Sequence, residues 1–118
     1  MGTPSKTVVA VKCDMGKPRM DLLPPGPLVE VAKVLSYGAE KYAAHNWEKG
    51  LEWSRVYAAI QRHLNAFWSG EDKDLETTLP HLAHAVCNGL MLLEYMRSHP
   101  ELDDRSFKIP QSEGQGNG

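Results

Sequence analysis

Residues 79–98, LPHLAHAVCNGLMLLEYMRS, carry the reading on which the fold class turns. On a helical wheel Leu82, Val86, Leu90 and Leu93 fall on one side as a continuous apolar stripe. The opposite side holds His81, His84, Asn88, Met91, Leu92 and Tyr95. Its charged residues are Glu94 and Arg97, both late in the segment. A solvent-facing side normally carries Lys, Glu and Arg in quantity. This helix is therefore expected to be buried on most sides. Buried imidazoles and amides need hydrogen-bond partners, so something polar must lie against that face: a side chain, a ligand or a subunit. Pro80 suits a first helical turn, and His99-Pro100 stops the helix.

Two further helices precede it. Pro27, Leu28, Val31, Ala32 and Leu35 predict a helix from about 27 to 44, weakened at Gly38. Ser54 is a plausible N-cap for the next, running to about Trp68 with Val56, Tyr57, Ile60, Leu64 and Phe67 as its apolar stripe. His45–Trp53, HNWEKGLEW, is the loop between them. Upstream, TVVAVK (Thr7–Lys12) has strand-like composition but no obvious pairing partner, and DMGKPRMDLLPPGP (Asp14–Pro27) is too rich in Gly and Pro for a regular element. The fold class is all-α: three main helices, an extended Pro/Gly-rich N-terminal arm and a disordered C-terminal tail. Residues 1–103 form the expected single domain. Residues 104–118, ending PQSEGQGNG, form the flexible tail.

A chain of 118 residues is one domain. Its apolar fraction of 42% and charged fraction of 24% are those of a soluble globular protein. A net charge of −2 argues against binding extended nucleic acid. No apolar run reaches the ~18–20 residues of a membrane span, and the first ten residues lack a signal-peptide core. Cys13 and Cys87 make no disulfide framework and suit a reducing compartment. The expected location is the cytoplasm.

Three of the five histidines lie between Arg62 and Asn88. His81 and His84 are spaced i, i+3 and share a helix face. His63 falls in the apolar stripe of the preceding helix. Glu71, Asp72, Asp74 and Glu76 crowd the connection between the two. Imidazoles beside carboxylates are what a divalent cation or an acid–base site requires. Each element also has a bland reading. His63 suits a satisfied core histidine, and Asp74 and Glu76 suit the dipole of the following helix. Known signatures are missing: there is no HExxH, His-Asp pair, G-x-S-x-G elbow or Walker A loop. Lys17 and Arg19 serve either as a phosphate clamp or as solvated charges.

Several blocks together resemble a known family: GKPRMDLLP, YGAEKY, NW with the following Gly50-Leu51, Trp53-Ser54-Arg55, RHL-x-AF, GED-x-D-x-E and LPHLAHA. Over Lys12–Tyr95 the chain resembles the phage and prophage family of dATP/dGTP diphosphohydrolases, N-terminal domain. That family is associated with MazG-like nucleotide pyrophosphohydrolases, all-α enzymes that use Mg²⁺ or Mn²⁺ to cut a nucleoside triphosphate into monophosphate and pyrophosphate. The resemblance implies a phage- or prophage-encoded protein of the bacterial host cytosol. It also implies a divalent cation cofactor (Mn²⁺, Mg²⁺ or Zn²⁺) and a purine nucleotide as partner; a homo-oligomer is expected because a small three-helix domain buries little surface alone.

MazG-like enzymes hold metal through ExxE and ExxD carboxylates. Here the corresponding helix reads His81-Leu82-Ala83-His84, and the preceding one carries Arg62-His63. Imidazole donors favour Mn²⁺ or Zn²⁺; they equally fit a non-catalytic module that binds or sequesters nucleotide. In the enzymatic reading His63, Asp72, Asp74, His81 and His84 hold the cation. Glu71 or Glu76 orients or deprotonates water. Lys17, Arg19, Lys41, Arg55 and Arg62 are candidates for phosphate contacts. Tyr37, Trp47 or Trp53 would stack on the base, the tryptophans serving equally as a hydrophobic lid over a small core, and Asn46 and Asn88 are further nucleotide contacts.

Overall fold

In a computed structural model that describes residues 8–110, three helices account for the architecture. They are α1 (Pro25–Lys41), α2 (Trp53–Trp68) and α3 (His81–Ser98). Short 3-10 turns flank them at Met20–Leu22, Asn46–Lys49 and Pro100–Leu102. There is no strand among the described residues; one antiparallel bridge, Lys73 to Pro80, pinches the α2–α3 connection. No helix among the described residues is long and apolar enough to cross a membrane. The expected arm at Val8–Lys12 is exposed and irregular, while Thr7 and residues 111–118 of the expected tail lie outside the described residues.

α3 is the central element, packed against both α2 and α1. The reason lies at its C-terminal end. Tyr95 is fully buried and joins Trp53 and Val56 in the core, with Trp47, Met91, Leu92 and Leu102 packed around them. The Tyr95 hydroxyl donates to the Trp47 carbonyl, and the Trp53 indole donates to the His99 carbonyl at 3.2 Å. Each buried aromatic thus has its polar end satisfied. Gly50, at φ +99°, is required where the loop crosses this end. A Cβ there would sit 2.6 Å from Leu102 Cδ1.

Helix boundaries differ from the expected ones for local reasons. α1 starts at Pro25, because a first turn needs no backbone N–H donors. It stops at Lys41, ahead of the left-handed His45. Ser54 lies inside α2, not at its cap, which is Glu52. Its N–H reaches Asp104 Oδ1 at 2.9 Å, and its hydroxyl donates to the other oxygen of the same carboxylate. A residue far along the chain thus satisfies the α2 N-terminus. Arg105 lies 5.1 Å from the Trp53 ring, so the start of the expected tail returns to the helices.

The wheel of α3 is corrected in one respect. The face bearing His81, His84 and Tyr95 is the buried one, while Leu82, Val86, Leu90 and Leu93 are 41–62% exposed. Among the described residues α1, α2, Trp47 and the 100–102 turn pack on α3, and its buried residues lie on the mixed polar face.

Candidate functional site

The site lies at the N-terminal end of α3. α3 supplies His81 and His84, one turn apart and only 4% and 9% exposed. α2 supplies His63, half-buried opposite them. The connection from Ser69 to Pro80 supplies the rest, and Asp74 organises it. Its carboxylate accepts the Glu76 and Thr77 N–H groups at 3.1 and 2.9 Å. Its carbonyl accepts the Thr78 N–H at 2.8 Å, and its own N–H donates to Leu79. The turn forces Thr78 to φ +60°, a strained conformation for a β-branched residue.

The three imidazoles form one cluster. The His63 and His84 rings stack in parallel, centroids 4.4 Å apart and planes within 7°. His63 Nδ1 lies 2.9 Å from His81 Nδ1. His81 Nε2 meets Glu71 Oε1 at 2.7 Å, and His84 Nε2 meets Thr77 Oγ1 at 2.7 Å. Every buried side-chain polar atom among the described residues has a partner. Burial pushes His63 and His84 below the ordinary imidazole value, which favours neutral rings. Burial pushes the Asp74 carboxyl up, but hydrogen bonds from Thr77 and Glu76 outweigh it and hold it below the usual carboxylate value.

Beside the cluster a cavity of about 660 Å³ opens between α1, the 42–51 loop and α3. Of the residues expected from sequence, His63, Asp74, Glu76, His84 and Asn88 line one part of it. Tyr37, Lys41, Asn46 and Trp47 line the other. Glu76 bridges across, accepting from Tyr37 Oη at 2.9 Å and Lys41 Nζ at 3.0 Å. Lys41 first, then Tyr37, keeps its carboxyl below the usual value. Trp47 turns one side to Tyr95, ring centroids 6.0 Å apart.

Other expected residues stand apart. His81 and Glu71 lie behind the cavity wall. Asp72 contributes its backbone carbonyl, which accepts the His81 N–H at 2.9 Å, while its side chain is exposed. Arg19 pairs with Asp21 in the arm, and Arg55 with Glu52. Lys17 and Arg62 are exposed and do not line the cavity. Sequence reading passed over Thr77, the partner of His84. Its signal was faint: a hydroxyl one turn before a helix start normally reads as a cap.

The donor chemistry fits a cation. His63, Asp74 and His81 each offer a ligand atom, all within 4.8 Å of one another. Two imidazoles and a carboxylate suit a first-row divalent ion. The residues lining the cavity carry Lys41 against Glu48, Asp74 and Glu76, so a polyphosphate needs added positive charge to enter.

Comparison with known proteins bears on the same region. The family model described as "dATP/dGTP diphosphohydrolase, N-terminal" matches residues 9–105. A dATP/dGTP diphosphohydrolase of Salmonella phage PMBT28 is 36% identical over 100 residues, covering 85% of this chain and 34% of that protein. The chain thus spans about a third of the length of that relative. No solved structure matches.

Proposed function

The chain belongs to the dATP/dGTP diphosphohydrolase N-terminal family, and on that premise we propose that it is a cation-dependent diphosphohydrolase of purine deoxynucleoside triphosphates. The products are a deoxynucleoside monophosphate and pyrophosphate. One observation carries the reading: donor atoms of His63, Asp74 and His81 converge within 4.8 Å beside a cavity large enough for a nucleotide. Those three residues would hold the cation. When bound, it supplies neutralisation of phosphoryl charge and acidification of water.

The remaining roles follow from position. Lys41 is the phosphate-binding cation of the cavity wall, and Tyr37 donates beside it. Glu76 is ionised at the same wall and orients the attacking water. Glu71, behind His81, does not reach the cavity and is removed from that role. Burial holds His84 below the ordinary imidazole value, and the ring is fixed by Thr77 and by stacking on His63. It shapes the site and does not complete the donor set. Trp47 and Asn46 face the base. The exposed stripe Leu82, Val86, Leu90 and Leu93 supports a homo-oligomer as the working assembly.

The test is incubation with each deoxynucleoside triphosphate and Mg²⁺, Mn²⁺ or Zn²⁺, followed by assay for pyrophosphate and monophosphate. Release of both from dATP or dGTP is expected with at least Mn²⁺. Nucleotide binding without product under every cation would make the protein a non-catalytic nucleotide binder and end the enzymatic reading.

A further inference from the structure

His81 is the most enclosed side chain of the histidine cluster, and both its ring nitrogens are engaged. Nε2 faces a Glu71 oxygen at 2.7 Å and Nδ1 faces His63 Nδ1 at 2.9 Å. A carboxylate accepts and cannot donate, so the Nε2 position carries a hydrogen. A neutral ring then keeps its lone pair on Nδ1. Two Nδ1 atoms at 2.9 Å can be joined only by a single shared hydrogen, which falls to His63. The proton order along Glu71, His81 and His63 is thus set from one end, by a residue outside the cavity.

We propose that Glu71 is a positioning residue: by accepting the His81 Nε2–H it turns the His81 Nδ1 lone pair toward His63 and Asp74, presenting a prearranged imidazole donor to a first-row divalent cation. This rests on the cation site proposed above and deepens it. Among the described residues no other acceptor holds His81 Nε2, so without Glu71 the ring exchanges between tautomers. Only one of these points a lone pair inward. Carboxylate partners of ligating histidines act this way generally, and their removal costs about 10–100-fold in metal affinity. The mixed imidazole and carboxylate set further predicts tighter binding of Zn²⁺ or Mn²⁺ than of Mg²⁺.

The experiment uses the full chain and the metal alone. Zn²⁺ and Mn²⁺ are titrated calorimetrically into the wild type, Glu71→Ala and Glu71→Gln, and the His81 tautomer is read from imidazole ¹⁵N shifts before metal is added. Circular dichroism verifies the helices of each variant. The wild type should show the Nε2–H form. Glu71→Ala should mix the tautomers and weaken binding about 10–100-fold. Glu71→Gln retains an acceptor oxygen and should keep the tautomer with a smaller loss, which a purely structural role would not separate from Ala. An Nδ1–H form in the wild type, no cation binding by the wild type, or equal affinity in all three proteins would each overturn the proposal. No nucleotide is present, so absence of hydrolysis leaves it standing. Conversely, wild-type hydrolysis by a Glu71→Ala protein of unchanged metal affinity would sink it and leave the proposed activity intact.

Discussion

At its N-terminal end α3 buries His81 and His84 against Glu71, His63 and Thr77; at its C-terminal end it buries Tyr95 against Trp47, Trp53 and Val56. Both regions lie on the same side of one helix. The aromatic end combines a large apolar surface with two satisfied polar tips, the usual source of stability. The imidazole end exchanges hydrogen bonds to water for hydrogen bonds to protein, at a small net gain per bond. One end of α3 therefore holds the fold together, and the other keeps polar groups in place at little net benefit. That is what a site is expected to do.

The contrast is most easily broken at Tyr95. Tyr95→Ala removes a fully buried ring and should cost about 3–5 kcal/mol by urea unfolding. His84→Ala removes the imidazole partner of the Thr77 hydroxyl, which keeps the Leu79 N–H, and should cost about 0.5–1.5 kcal/mol. Equal costs would erase the difference between the two ends. A finer cut is Thr78→Gly. It relieves a threonine at φ +60° beside the site and should raise stability by about 1 kcal/mol, since released strain exceeds the added chain entropy. A loss there would mean the turn is not strained.

The smallest effect is a matter of sign. His63 and His84 are held below the ordinary imidazole value of 6.5, chiefly by burial. Their contribution is complete above pH 6.5 and is lost as pH falls through the lower folded values. His99 is the opposite case. Its Nδ1 faces Glu101 at 2.9 Å and its Nε2 donates to the Glu48 carbonyl at 2.8 Å, and these raise its value, Glu101 first. Its contribution is complete below pH 6.5 and is lost as pH rises through the higher folded value. His99→Gln should therefore destabilise most on the acid side, and His84→Gln most on the neutral side. Melting temperatures across pH 5–8 for the two variants should diverge in opposite directions. Parallel curves would refute the assignment.

Some of this was legible before any coordinates. The three helices follow from 3.6-residue periodicity bounded by Pro and Gly. The need for polar partners along one side of α3 follows from the near absence of charge there. His63, Asp74, His81 and His84 were singled out by spacing and residue type, and all four meet. The basic residues fared differently. Lys41 lines the cavity, paired there with Glu76, whereas Arg19 and Arg55 pair with neighbouring carboxylates away from it. Residue type shows that a cation is available; it does not show what neutralises it.

Periodicity and composition are local properties, so helix content and the partner-seeking face of α3 belong to the chain itself. Which side of α3 is covered does not. The wheel led to a helix buried on most sides, yet the stripe of Leu82, Val86, Leu90 and Leu93 is exposed and the buried residues lie on the opposite face. That choice requires Asp104 to meet Ser54, Glu71 to meet His81 and Tyr37 to meet Glu76. Each is a hydrogen bond between residues separated in sequence, whose geometry no short window encodes. Packing alone selected them, because a buried polar group is tolerated only where its partner arrives.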